Sequence, residues 1–209
     1  IYIVSGAFSG TPFSTHPMNQ TIFTNTTGER ISTKEPVIIS SLYEPWPQID
    51  ISSVLIAPTV TDINDYAFNG CNSLTDVSFY KIEDSSLNSI GTDAFQGCSK
   101  LESITIPKTV TTFAGTSDDY GYQFYQCYNL SSIIFESDSS LKSIPTACFL
   151  DCSSLQTITI PKSVTGLGWG AFQYCYSLTD VIFEKLSQVT YISPSCFQQC
   201  SSLEAIRYN

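Results

Sequence analysis

The run Leu155-Gln-Thr-Ile-Thr-Ile-Pro-Lys-Ser-Val-Thr-Gly-Leu-Gly-Trp-Gly-Ala-Phe-Gln-Tyr-Cys175 decides the fold, because its order of apolar positions recurs along most of the chain. It opens with the alternation Leu155-x-x-Ile158-x-Ile160, turns at Pro161, sets an anchor pair at Val164 and Leu167, and closes on Phe172 and Cys175. Period-two alternation over so few residues marks a short strand with one buried face. Six segments end in Phe-x-x-Cys-x-x-Leu: Phe68/Cys71/Leu74, Phe95/Cys98/Leu101, Phe124/Cys127/Leu130, Phe149/Cys152/Leu155, Phe172/Cys175/Leu178 and Phe197/Cys200/Leu203. Self-similarity of this kind is the signature of a stacked repeat array.

The irregular part of the repeat is confined to two places. Cys-to-Cys spacings are 27, 29, 25, 23 and 25, that is, a base of 23 with additions of four, six, two, none and two. One site of insertion lies between the strand end and the next anchor. It spans four residues after Ile-Pro strands (Ile106 to Val110, Ile160 to Val164) and six or eight after Phe-type strands (Phe79 to Leu87, Phe135 to Leu141, Phe183 to Val189). The other lies between the second anchor and Phe, five residues everywhere but Phe113 to Phe124, where it is eleven. Loops outside a stack tolerate such additions. A single unit cannot bury its apolar face, so neighbours must stack. The strands are then expected to pair in parallel about 4.8 Å apart, over a sheet on the order of 30 Å long. Ile104, Ile106, Ile133 and Phe135 are expected inside, with the Phe and Cys columns.

The elements Leu-x-x-Ile-x-Ile-Pro, Ala-Phe and Cys-x-x-Leu within residues 155–178 resemble those of the BspA-like, or Treponema pallidum-type, leucine-rich repeat. The resemblance covers about residues 51–209 and implies a leucine-rich-repeat solenoid. Such an α/β-type horseshoe or slab has short parallel strands on one face and turns, 3-10 segments or short helices on the other. It also implies an extracellular or cell-surface protein, an adhesin or surface antigen of the kind found in mucosal bacteria and trichomonad-like protists. The partner would be a protein or glycoprotein, host extracellular matrix included.

Composition narrows the function independently. The chain has 209 residues, 42% of them apolar, a formal net charge of -10 and only 13% charged residues. Ser and Thr number 53, so the surface is expected to be hydroxyl-covered, as is common on exported proteins. Acidity argues against nucleic acid and anionic membranes, both of which need clustered Lys and Arg. No apolar run reaches the roughly 18 residues of a membrane span, so no membrane contact is expected within this segment. The chain does not begin with Met and ends just after a repeat opens, which reads as a piece of something longer.

Residues 1–50 break the pattern. Ile3 to Thr11 keeps the anchor-to-Phe spacing and reads as a degenerate repeat, with Thr11 in the place of Cys. The remainder holds Pro12, Pro17, Pro36, Pro45, Pro47 and the only His, His16. An open stack edge needs shielding, so this segment is expected to be a cap or irregular island over the first rung, with a hairpin near Val37–Leu42.

Reactive chemistry is hard to assemble. Six of the eight Cys hold one position in successive rungs, where their side chains should run parallel into the core, so free buried thiols are expected. Cys148 and Cys196, about two strand spacings apart, are too far from each other to pair. No Cys-x-x-Cys pair accompanies His16, which argues against zinc, and one His is poorly placed to serve a rung-mounted triad. No catalytic residue, metal or cofactor is expected. A hydrolase acting through the Asp76 and Asp180 pair is the enzymatic rival. Sequons at Asn19, Asn25 and Asn129 are glycosylation candidates, though about two would arise by chance at this composition.

The informative surface is the outward strand face. One column runs through Asp76, Ser103, Ser132, Thr157 and Asp180, and a second through Ser78, Thr105, Ile134, Thr159 and Ile182. Tyr80, Glu136 and Glu184 lie beside them. A parallel sheet is ordinarily covered on both faces, so an uncovered, low-charge face reads as a docking plane. The bland alternative is that strands simply favour Ser, Thr and Ile there. A second candidate is the insertion at Gly115–Tyr122, whose Asp118, Asp119, Tyr120 and Tyr122 resemble paratope contacts. Three functional readings follow: a surface adhesin or antigen, an intracellular interaction scaffold, and a passive coat without a dedicated ligand.

Overall fold

The structure, a computed structural model, describes residues 20–25, 30–34, 51–115 and 120–209. An antiparallel hairpin, β1 (Gln20–Asn25) and β2 (Arg30–Lys34), comes first. Two kinds of parallel strand then alternate and build two ladders, the long one interrupted between the fifth and seventh strands and the short one between the eighth and tenth. The longer strands are β3 (Ile51–Ile56), β5 (Asp76–Phe79), β7 (Ser103–Ile106), β9 (Ser132–Phe135), β11 (Thr157–Ile160), β13 (Asp180–Phe183) and β15 (Ala205–Tyr208). Between them lie two-residue strands: β4 (Asp62–Ile63), β6 (Ser89–Ile90), β8 (Thr112–Phe113), β10 (Ser143–Ile144), β12 (Gly166–Leu167) and β14 (Tyr191–Ile192).

Alternation does what the sequence predicts. Ile104, Ile106, Ile133, Ile158 and Ile160 are buried, Phe135 packs against the core, and Ser103, Thr157 and Thr159 face outward. The anchors Val60, Ile63, Leu87, Ile90, Leu141, Ile144, Val164 and Leu167 close the core from the other side. Only four to eight residues separate strand end from anchor, about two helical turns at most. The second side accordingly consists of turns and two-residue strands. Ile82–Asp84 forms one 3-10 turn, and no α-helix occurs among the described residues.

Side-chain columns run the length of the stack. Phe68, Phe95, Phe124, Phe149, Phe172 and Phe197 lie ring on ring, with centroids 5.1–5.4 Å apart and planes within 13°. All eight cysteines are free thiols; of the six in the column, Cys98, Cys127, Cys152 and Cys175 are buried as expected, and Cys71 and Cys200 are half-buried. The structure adds a reason for their column: the Sγ–H of Cys98, Cys127, Cys152, Cys175 and Cys200 donates to the carbonyl of the preceding rung's phenylalanine at 3.0–3.3 Å. Each thiol thus fills volume as a small hydrophobe and still finds an acceptor.

The turn bearing Phe uses two left-handed residues, two before and two after the ring. The first set is Tyr66, Asp93, Tyr122, Ala147, Gly170 and Ser195, and the second is Gly70, Gly97, Gln126, Asp151, Tyr174 and Gln199. No periodicity argument reveals this requirement, because non-glycine residues fill nine of the twelve places.

Junctions between rungs are unequal. Four register pairs join β3 to β5, β7 to β9, β11 to β13 and β13 to β15. β9 and β11 share one, Ser132 with Thr157, and β5 and β7 lie in separate sheets. At the paired junctions the residue after the strand donates back to the previous strand's last carbonyl: Tyr80 to Ile56, Glu136 to Ile106, Glu184 to Ile160 and Asn209 to Phe183. At the other two that residue is Pro107 or Pro161, which has no N–H to give. The short ladder spans both of those junctions, through β6–β8 and β10–β12.

At the first rung, β1 pairs antiparallel with β3, from Ile22 opposite Leu55 to Asn25 opposite Ile51. The degenerate repeat at Ile3–Thr11, His16 and the hairpin expected near Val37–Leu42 lie outside the described residues; the hairpin the structure shows is β1–β2.

Candidate functional site

The strand face assembles as the sequence implies. Ser103, Ser132, Thr157 and Asp180 are consecutive register partners, and Thr105 pairs with Ile134 as Thr159 does with Ile182. Asp76 and Ser78 sit on β5, across the junction that lacks a ladder from β7. Ile134 is 52% exposed, a large aliphatic side chain standing in water at the middle of this face.

Several of these side chains already serve the fold. Glu136 and Glu184 each accept the backbone N–H of the lysine after an Ile-Pro pair, Lys108 at 2.9 Å and Lys162 at 2.8 Å. They close the turn that proline leaves short of donors. Asp180 pairs with Arg207 of the next rung at 2.5 Å, and the Ser78 hydroxyl donates to the Val54 carbonyl at 3.4 Å. Tyr80 is half-buried. The outward side chains that take part in none of these contacts are Asp76, Ser103, Thr105, Ser132, Ile134, Thr157, Thr159 and Ile182. Asp138 and Lys162 form a neighbouring exposed ion pair at 2.6 Å; it holds the Asp138 carboxyl below and the Lys162 ammonium above their usual ranges. Such a surface pair contributes little to stability.

The inserted loop lies elsewhere. Asp118 and Asp119 are outside the described residues. Tyr120 bridges in parallel to Thr146, just past β10, which puts it on the short-ladder side of the coil. It stacks on Tyr122 at 5.0 Å and meets Trp169 edge-on at 6.4 Å and 88°. Tyr122 in turn contacts Tyr125 at 5.1 Å. Sequence reading found the two loop tyrosines and missed Trp169 and Tyr125, because Tyr120 and Trp169 are 49 positions apart and only stacking brings them together.

Gln123 anchors this loop. It occupies the alanine place of Ala-Phe and is fully buried. Its Nε2 donates to the carbonyl of Ala114, where the insertion begins, at 2.5 Å, and to that of Gly91 at 3.3 Å. Gly121 closes the loop under constraint: a Cβ there would lie 2.6 Å from Gln123 Oε1, 2.7 Å from the Pro145 ring and 3.0 Å from the Ala114 carbonyl. A lone polar residue in an otherwise Ala or Cys column was the available sequence signal.

The thiols offer no reactive site. Burial pushes Cys71 and Cys200 up to about 11 and Cys196 up to about 12, and Cys98, Cys148, Cys152 and Cys175 well up. Thiolates, the reactive form, are therefore scarce at neutral pH. Among the described residues no group of three or more His, Cys, Asp or Glu is placed to hold a metal, and no helix is long and apolar enough to cross a membrane. Asn129 is exposed, Asn25 lies in β1, and Asn19 is outside the described residues.

The profile of the BspA type leucine rich repeat region matches residues 44–117 and 120–209, in six copies. The chain belongs to the BspA-type leucine-rich-repeat family. Its repeats superpose on two solved structures. The T. pallidum leucine-rich-repeat protein TpLRR is 26% identical with a TM-score of 0.55, over 78% of this chain and 79% of that one. The pneumococcal vaccine antigen PcpA is 29% identical with a TM-score of 0.61, over 75% of this chain but only 38% of its own length. No curated protein matches the chain. The six copies match in number the six Phe-x-x-Cys-x-x-Leu segments of the sequence.

Proposed function

We propose that this BspA-type protein is a non-enzymatic, cell-surface recognition module that binds a protein or glycoprotein ligand through its strand face. The observation that carries the reading is a parallel sheet that no other described element covers, whose outward columns are mainly hydroxyl and β-branched, with Ile134 exposed at the centre. Water-facing aliphatic area ringed by short polar groups suits a docking plane better than a solubilising one. A surface location is supported by the likeness to PcpA, described as a vaccine antigen, since an antigen must be reachable from outside the cell.

Size sets the expected strength. Seven strands about 4.8 Å apart, each presenting about 13 Å of length, make a face of roughly 400 Å². A standard stable interface takes about 800 Å² from each partner. One copy alone should therefore bind at micromolar strength or weaker, and adhesion would depend on many copies acting together.

The test is to measure binding of the full chain to immobilised matrix glycoproteins, intact and deglycosylated, with Thr105→Lys, Ile134→Lys and Thr159→Lys variants. Loss of about tenfold or more in each variant, with the circular dichroism unchanged, is the expected result. Equal affinity in all three would remove the strand face as the binding surface.

A further inference from the structure

We propose that the corner after the short strands is a glycan-binding strip, which takes an extended, neutral β-1,4-linked sugar chain laid along the stack over Tyr66, Tyr122 and Trp169. The strip lies on the short-ladder side of the coil and is independent of the strand face.

Three observations converge. The first is spacing. Tyr66 and Tyr122 stand two residues before Phe68 and Phe124, whose rungs are separated by that of Phe95 alone. Trp169 precedes Phe172, two rungs further on. Neighbouring phenylalanine rings along this stretch are 5.1–5.3 Å apart, so the aromatic places recur about every 10 Å, the length of roughly two sugars in an extended β-1,4-linked chain. In the intervening rungs the same place holds Asp93 and Ala147, both buried. Tyr120 joins the last two platforms, stacking on Tyr122 at 5.0 Å and meeting Trp169 edge-on at 6.4 Å. Tyr66, Tyr120 and Trp169 are 40%, 50% and 39% exposed. The negative face of an aromatic ring attracts the polarised C–H groups on the flat side of a pyranose.

The second is a groove already shaped. An open groove of about 520 Å³ leads from Tyr66 toward Ala114, where the insertion begins, and its size suits a small-molecule site. Gly91 makes it possible: a Cβ there would lie 2.3 Å from the Asp65 nitrogen, so only glycine lets the Asn64–Asp65 corner settle on the next rung. The Thr92 N–H orients the Asp65 carboxylate at 2.7 Å, and the Tyr66 hydroxyl donates to the buried Asp93 carboxylate, which fixes the ring. Groups held in place before binding lose little freedom when a ligand arrives.

The third is the mixture of polar groups. The exposed Asn64 amide both donates and accepts, and beside it lie the second oxygen of Asp65 and the Ser89 hydroxyl. A sugar hydroxyl also donates and accepts, so it can use all three. A lysine or arginine side chain has no acceptor to offer the amide, and the Asp62 carboxylate below is already taken by the Ser89 and Thr61 hydroxyls. Among the described residues no Lys or Arg lines the groove, so an acidic glycan would meet Asp65 without a counter-charge.

Calorimetric titration of the full chain with cellohexaose, cellobiose, maltohexaose and hexalysine tests the proposal. Cellohexaose should bind about tenfold more tightly than cellobiose, which reaches one platform, or than maltohexaose, whose α-linked chain coils. In a Trp46→Phe background its binding should shift the emission of Trp169. Tyr66→Ala should weaken cellohexaose about fivefold, and Tyr66→Ala/Trp169→Ala should abolish its advantage over cellobiose. Tyr66→Phe, which keeps the ring and loses the tether to Asp93, should stay within about twofold of the unsubstituted chain. Ile134→Lys, on the strand face, should change nothing. Four outcomes overturn the proposal: equal affinity for the long and short chains, unchanged cellohexaose affinity in a folded double variant, a loss in Tyr66→Phe as large as in Tyr66→Ala, or ring-dependent binding of hexalysine in place of the sugar.

Discussion

The junction between β7 and β9 and the junction between β5 and β7 join the same kinds of unit in different ways. Across the first, four register pairs run from Ser103–Ser132 to Ile106–Phe135, and the Glu136 N–H closes onto the Ile106 carbonyl. Across the second the long strands share no ladder, and Pro107 stands where the closing donor would be. Yet Phe95 stacks on Phe124 across the open junction at 5.3 Å, the same distance at which Phe124 stacks on Phe149 across the paired one. The Cys127 thiol reaches the Phe95 carbonyl at 3.1 Å, and the Cys152 thiol reaches the Phe124 carbonyl at 3.1 Å. Continuity of this solenoid therefore resides in its buried columns, and each ladder is interrupted only where the other is paired.

The largest effect should come from conditions that attack a column at every junction at once. The thiols are protonated in the fold, with values raised by burial above the ordinary 9.0, whereas unfolded thiols ionise near that value. Stability is thus fully present below about pH 9 and falls as pH climbs toward the folded values. Each deeply buried thiol forfeits about 1.4 kcal/mol per pH unit in that window. Thermal unfolding followed by circular dichroism should show the midpoint dropping steeply between pH 9 and 11, and less steeply in Cys148→Ala. A flat profile would mean that the cysteines are not buried neutral groups.

A single column break comes next. Phe149→Ala opens a cavity between Phe124 and Phe172 and should cost about 3–5 kcal/mol. Denaturant unfolding measures the loss. Amide exchange should quicken first in β11, whose ladder to β9 is a single pair. Uniform quickening across both kinds of junction would show that the open junctions are no weaker than the paired ones.

The smallest effect should come from mending an open junction. Pro107→Ala supplies a donor opposite the Phe79 carbonyl, worth about 1 kcal/mol, but frees the unfolded chain by nearly as much. Net stability should move by less than about 1 kcal/mol, while the new amide at position 107 becomes protected from exchange. Free exchange there would show that something besides proline keeps β5 and β7 apart.

These contrasts also mark how far the sequence could be read. Ile158, Ile160, Phe172 and Cys175 announce their columns because burial imposes a period, and proline's missing donor is covalent fact once the register is known. The insertion before Phe124 was legible as six extra residues, but not as an aromatic cluster, since Trp169 meets Tyr120 only through stacking across rungs. Glu136 and Glu184 looked like ligand contacts because an outward carboxylate reads alike whether it meets a partner or a backbone N–H. The left-handed places at Tyr122 and Gln126 were hidden, as their side chains are not those that such a backbone normally selects.

Because the length additions fall at only two points of a 23-residue unit, duplication or loss of a unit would move the ends of this rod by about 4.8 Å without disturbing what either end displays. A lineage carrying such a gene could adjust how far the molecule reaches through recombination between near-identical segments. Its surface chemistry would drift separately, one outward residue at a time.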